Sequence, residues 1–320
     1  MTDELPVNGF LLVDKPSGMT SHQIVAQVKK TLGIHRVGHG GTLDPMATGL
    51  LIIGVGRATR LLGYIADKSK QYTATIRFGQ DTVTDDAEGE PIGEKKDATA
   101  VTRQDIELAM GRYIGDINQV PSSVSAIKVM GKRAYELVRE GKEVQLKSRT
   151  VNVTRFDLLS RSEVDGWVDC FVIVDCSSGT YIRALARDLG RDLGVGGHIT
   201  ALRRTRIGGM SIEDAISPED FSLDKIIPMG DMAAHIAPSI TIDESNVRNV
   251  AVGRSIEVEL TGLTTVLFES QMLALYQPNP EDPSHAVPVA VFIDPIIHRQ
   301  RPHHHHHHSV KVEPRTDDNG

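Results

Sequence analysis

The chain has 320 residues, 40% hydrophobic and 24% charged, with a formal net charge of −7, which is long enough for one large domain or two ordinary ones. That composition excludes a disordered or fibrous class, and no run approaches the ~20 apolar residues of a membrane span. The first nine residues carry neither a basic region nor an apolar stretch, so a cytoplasmic protein without membrane contact is expected.

In chain order, residues 10–14 read as a short buried strand that runs into the turn-rich Lys15-Pro16-Ser17-Gly18-Met19-Thr20-Ser21. A helix follows, with Ser21 as N-cap, an apolar stripe of Ile24, Val25, Val28 and Leu32, and Gly33 as terminator. Lys15 and Ser21 suggest a phosphate loop, but the two glycines of the Walker pattern are missing. Residues 39–51 then place one carboxylate, Asp44, between Gly40-Gly41 and Pro45. Glycines let backbone approach a ligand closely, and proline biases the residue before it toward extended conformations. This is either a catalytic loop or an ordinary Asp-Pro turn, and local chemistry leaves both open. The apolar run of residues 50–55 is a strand that anchors it.

Ala58, Leu61, Leu62 and Ile65 keep helical spacing, after which the period changes to two and Tyr72, Ala74, Ile76 and Phe78 share one face of a strand. Residues 79–96 are acidic and turn-rich, a surface excursion. Thr102 caps a helix through Ile106, Met110 and Tyr113, and residues 119–127 form an irregular connector expected near the site. Residues 133–140 make a short amphipathic helix within a basic insertion, about residues 128–149, which is expected to contact a polyanion. Residues 167–176 form a strand in which Cys170 and Cys176, evenly spaced, are core thiols and neither a disulfide framework nor a zinc site. Residues 177–180 turn it into a helix with Ile182, Leu185, Ala186, Leu189 and Leu193 on one face. Arg183, Arg187 and Arg191 recur on another, either as a solvated row or with Arg183 reaching a carboxylate. His198 is structural, within a strand that alternates apolar and basic side chains to Arg206. Ser217-Pro218-Glu219-Asp220 is a strong helix start that closes the first domain. The boundary is placed near Ala237. Residues 264–268, 272–276 and 287–293 are strands of a small module, 238–300, and residues 301–320 are a disordered His-rich tail.

Taken together, these motifs resemble the bacterial tRNA pseudouridine synthase B family over roughly residues 8–215. They are Lys15 to Ser21, Gly38 to Leu51, Lys70-Gln71-Tyr72, the 119–135 connector, Gly179-Thr180-Tyr181-Ile182-Arg183 and Leu202-Arg203-Arg204. Each is modest alone, but their joint order is specific, and Thr42-Leu43-Asp44-Pro45 matches the type acting on tRNA uridine 55. Gly40, Ser122 and Val83 depart from the family pattern without removing a catalytic group.

The resemblance implies an α+β pseudouridine synthase fold, a mixed, mainly antiparallel sheet flanked by helices, with a small, mostly-β PUA-like C-terminal domain. It implies a monomeric isomerase acting on the T stem-loop of tRNA, without cofactor or metal. Asp44 would be catalytic and kept ionised by Arg183. Tyr72 would stack on the uracil and help remove its C5 proton, Tyr181 and Leu202 would line the pocket, His39 would enter the RNA loop, and Lys15 would support the site. Two rivals are a non-catalytic tRNA-binding chaperone and a retaining glycoside hydrolase. The hydrolase needs a second carboxylate about 5 Å from Asp44, and the sequence offers no clear candidate.

Overall fold

The protein is described by a computed structural model covering residues 7–122 and 147–293. The expected helix of residues 133–140, nearly all of the basic insertion and the His-rich tail therefore lie outside the described residues. The chain divides into two compact units, Met1–Pro238 and Ser239–Gly320.

In the first unit the elements are β1 (Gly9–Lys15), α1 (Ser21–Leu32), β2 (Val37–Gly40), β3 (Thr48–Val55), α2 (Leu62–Ala66), β4 (Lys70–Phe78), β5 (Asp81–Thr82) and β6 (Pro91–Ile92). There follow α3 (Arg103–Gly111), β7 (Gly115–Gln119), β8 (Arg149–Val164), β9 (Trp167–Cys176), α4 (Ile182–Asp192), β10 (Gly197–Ile207), β11 (Met210–Ser211), β12 (Ile227–Pro228) and α5 (Met229–Ile236). One sheet runs in the order β12-β1-β3-β10-β4-β9-β8-β7, with β2 paired to β3 and β11 to β10. All of its pairings are antiparallel except β3 with β10, where Thr48 and Gly49 meet Arg203 and Arg204. This is the mixed, mainly antiparallel α+β sheet that the resemblance implies. The β3–β10 contact demands glycine: Gly49 has φ +110, and a Cβ there would lie 2.2 Å from the Arg204 carbonyl oxygen.

The period-two stretch of β4 buries Tyr72, Ala74, Ile76 and Phe78 against Val168, Val172 and Val174 of β9 and Leu185 and Leu189 of α4 in one core. Cys170 and Cys176 point into that core, and burial pushes their thiols up to about 12 and about 11, so they are unreactive. The cap of α3 is where the sequence places it: Thr102 and Asp105 exchange side-chain to backbone hydrogen bonds of 3.1 and 3.0 Å.

Three local expectations are corrected. Thr20, not Ser21, caps α1, through a capping box with Gln23. Ser21 is buried and instead exchanges two hydrogen bonds with the Leu43 backbone, 3.1 and 3.0 Å. The helix start at Ser217 yields only single 3-10 turns, Pro218–Asp220 and Leu223–Lys225, because neither has a buried apolar residue to pack. The unit closes instead with α5, which buries Met229, Met232, Ala233 and Ile236. Finally, residues 79–96 are not merely a surface excursion. Asp85 and Asp86 are 5% and 2% exposed, and their segment is laced to β10 by Ile199 N–H donating to the Asp85 carbonyl and Ala87 N–H to the Ile199 carbonyl.

The second unit holds β13 (Ser239–Thr241), α6 (Glu244–Ala251), β14 (Thr264–Phe268), β15 (Gln271–Asn279) and β16 (Asp282–Val291), with the strands in one sheet in that order. It is mostly β as expected. The helix α6 was not anticipated; it packs Val247 and Val250 on Val266, Leu273 and Tyr276.

Candidate active site

The loop between β2 and β3 carries Asp44 and is restrained on three sides. Ser21 holds Leu43 from α1. The Lys15 ammonium, fully buried at the end of β1, donates to the carbonyls of Pro16 (2.9 Å), Met19 (2.6 Å) and Pro45 (3.3 Å). Burial lowers its pKa to about 8, against the opposing pull of Asp44. From β10, Arg204 donates through Nη2 to the Gly41 carbonyl (2.7 Å) and through Nε to that of Leu50 (2.8 Å). Gly41 has φ +78, a left-handed turn that glycine adopts without strain.

The Asp44 carboxylate leaves this scaffold and meets Arg183 from the first turn of α4. Arg183 Nη2 lies 3.0 Å from Asp44 Oδ2 and 2.9 Å from Asp86 Oδ2. Asp86 is itself held by the Thr84 hydroxyl (2.6 Å) and the Glu88 N–H (3.0 Å). One buried guanidinium thus bridges two carboxylates, of which Asp44 is 23% and Asp86 3% exposed at the side chain. The start of α4 is fixed by Gln119, whose amide exchanges hydrogen bonds with the Tyr181 backbone, 2.9 and 3.1 Å.

These groups open on a cavity of ≈ 450 Å³, within the ~300–1,000 Å³ of small-molecule sites. Of the residues expected from sequence, Asp44, Tyr72, Tyr181, Arg183 and Leu202 line it. Lys15 lies behind the wall, holding the loop. His39 also lies outside the cavity, half-buried on β2 opposite Ile53, and its buried Nδ1 has no hydrogen-bond partner. Burial, with the nearby His22 and Arg204, pushes its imidazole below the usual pKa, so the ring is neutral and flat near pH 7.

Asp67, Lys70 and Arg204 line the cavity too, and sequence reasoning gave them no role. Lys70 donates to the carbonyls of Ala66 and Lys68, and burial lowers its pKa to about 8. The basic stretch of residues 182–206 is largely consumed internally: Arg203 grips Asp14 with two 3.0 Å bonds, and Arg187 meets Asp85 and Asp188. Asp86 supplies the second carboxylate missing from the hydrolase hypothesis. It does not line the cavity, however, and its burial against Arg183 keeps it from a leaving-group oxygen. Among the described residues no group of three or more His, Cys, Asp or Glu side chains is arranged to hold a metal ion.

Next to this pair, burial raises Asp85 from 3.8 to about 6, with Arg187 and Arg183 opposing and Asp81 and Asp188 reinforcing the shift. A raised folded-state pKa contributes stability in full below about 3.8, and that contribution is lost as pH rises through about 6. We predict that the Tm of Asp85→Asn minus that of the wild type becomes more positive from pH 4 to pH 7. A difference that is flat across that range would remove Asp85 as the titrating group.

The fold of this unit is that of pseudouridine synthases. Residues 29–182 match the family model "TruB family pseudouridylate synthase (N terminal domain)" and residues 183–229 the model "tRNA pseudouridylate synthase B C-terminal domain". A tRNA pseudouridine synthase B of Cutibacterium acnes is 45% identical over 292 residues, 89% of this chain and 98% of that protein. Another, of Mycolicibacterium paratuberculosis, is 56% identical over 67% of this chain and 73% of its own. Among solved structures, a Cbf5-Nop10-Gar1 complex aligns with a TM-score of 0.66 at 26% identity, covering 90% of this chain and 86% of that one. The chain belongs to the tRNA pseudouridine synthase B family.

Proposed function

We propose that the chain converts uridine 55 in the T-loop of tRNA to pseudouridine, with the target base in the 450 Å³ cavity and its sugar carbon beside Asp44. The observation that carries this reading is one partly exposed carboxylate, Asp44, held by a buried arginine at the wall of that cavity. A nucleoside folded inside the tRNA elbow reaches such a pocket only by leaving its stack, at a cost of a few kcal/mol. His39, neutral and outside the cavity, suits the space vacated by flipped bases, where a flat ring stacks. Tyr72, Tyr181 and Leu202 enclose the uracil. The reaction breaks the N1–C1′ bond, turns the base and rejoins it through C5, whose proton is lost, with no net redox change. Asp44 acts as nucleophile or base, with the buried Arg183 as its ion-pair partner. Lys15 acts on the shape of the loop. We take the working protein to be a cytoplasmic monomer.

The test is incubation of the purified chain with unmodified tRNA followed by pseudouridine mapping. Pseudouridine at position 55 supports the proposal. Free uracil would indicate hydrolysis, and unaltered, tightly bound tRNA would favour the chaperone reading. Backbone clamping by the basic insertion predicts a further result: neutralising Lys132, Arg133 and Lys142 together weakens tRNA binding and flattens its dependence on salt, by roughly 0.7–0.9 in log–log slope per lost phosphate contact. An unchanged slope would move the docking surface elsewhere.

A further inference from the structure

Among the described residues, Arg183 has its charge matched by two carboxylates, whereas the other arginine of the cavity pairs with none. Arg204 is 1% exposed, and its described partners are the uncharged carbonyls of Leu50 and Gly41. A buried cation without a counter-ion is costly, and at the wall of a reaction cavity its field favours negative charge in whatever occupies that cavity.

The register of the sheet says what Arg204 faces. It is the direct cross-strand partner of Tyr72, and both side chains line the cavity. Burial pushes the Tyr72 phenol well above its usual range, against the opposing charge of Arg204, so it stays protonated. Arginine only donates hydrogen bonds. A guanidinium N–H directed at the Tyr72 oxygen from this neighbouring position would leave the single phenol proton to point elsewhere.

We propose that Arg204, anchored on the carbonyls of Gly41 and Leu50, is a positioning residue that turns the Tyr72 hydroxyl toward the uracil and stabilises the negative charge the base acquires when its bond to the sugar breaks. This rests on the reading that the target uridine occupies the cavity. In the step concerned, the N1–C1′ bond breaks and its electron pair stays on the base, spread over N1 and the carbonyl oxygens. Asp44 meets the electron deficit at C1′. Tyr72 donates a hydrogen bond to a uracil carbonyl without giving up its proton. The pair then returns to C1′ from C5, which frees Asp44, and the C5 proton passes to water. Tyr72 is thus a donor during cleavage, in place of the C5-proton base implied by resemblance.

The experiment uses the full chain and unmodified tRNA under single-turnover conditions, with tRNA affinity measured in parallel. Arg204→Gln lowers the rate by ~10²–10³-fold, the loss typical of removing one preorganised donor, with tRNA affinity unchanged. Arg204→Lys, which keeps the charge but not the fork, recovers roughly tenfold. In a Tyr72→Phe background, Arg204→Gln costs far less than in the wild type. Losses that multiply independently, within about twofold, overturn the proposal, as does a loss confined to tRNA affinity. Thermal melts check folding; if Arg204→Gln does not fold, Arg204→Lys with and without Tyr72→Phe carries the same comparison. A wild-type chain inert toward tRNA would overturn the functional proposal itself, which is a different outcome from an active wild type with additive losses.

Discussion

Asp44→Asn is expected to lose isomerisation while still binding tRNA. The substitution keeps the shape of the side chain and can keep a hydrogen bond to Arg183, but it removes the charge and with it both nucleophilic and basic capacity. The loss should exceed the ~10²–10⁴-fold typical of deleting a positioned proton-transfer group, because no other cavity carboxylate can replace it. Asp86 is shut behind Arg183, and among the described residues the ion pairs of Arg183 go to Asp44 and Asp86, not to Asp67 on the cavity wall. Folding should be little affected, since the loop is held by Ser21, Lys15 and Arg204 through backbone atoms and not through the Asp44 side chain. Single-turnover assays with a parallel filter-binding titration measure both quantities. Appreciable turnover by the variant would sink the assignment of Asp44.

The second large effect belongs to Arg183, where stability and activity should separate. Arg183→Met leaves Asp44 and Asp86, each about 3 Å from the lost nitrogen, facing one another without a cation. Removing one partner of a buried ion pair costs about 3–5 kcal/mol, on the order of 10 °C in Tm for a unit of this size. The double variant Arg183→Met with Asp86→Asn removes one of the stranded charges and should recover much of that stability. Activity should not return, because Asp44 still lacks its cation. A single variant that melts at the wild-type temperature would show that water already screens the pair. A double variant with wild-type turnover would show that Asp44 needs no arginine.

Much of the site was legible because its signals are local. Asp44 stands out through Gly40, Gly41 and Pro45, and Tyr72 belongs to an alternation that survives intact in β4. Arg183 falls in the first turn of a helix whose apolar face is plain in sequence. Asp86 was missed because its acidic, turn-rich neighbourhood looks like any solvated loop. Its burial follows from hydrogen bonds to Ile199, more than a hundred residues away. Arg204 was missed for a different reason. In the run Arg203-Arg204-Thr205-Arg206 the facing of each side chain depends on strand register, and β10 slips against β4 between Ile199 and Ala201 and again between Arg204 and Arg206. Each slip changes which residues share a face. The Ser217 start failed because a good cap without an apolar stripe does not sustain a helix.

The amino-acid sequence by itself determined the periods of the strands and helices, the cap of α3, the buried cysteines and the ordered motifs around Asp44, all of which depend on residues a few positions apart. Only the tertiary structure decided which charges are paired. It set Asp14 on Arg203, Asp44 and Asp86 on Arg183, and anchored Arg204 on the carbonyls of Leu50 and Gly41. The physical reason is desolvation: a charge costs little in water wherever it lies in the chain, and becomes costly or useful only when folding removes the water and chooses its neighbours.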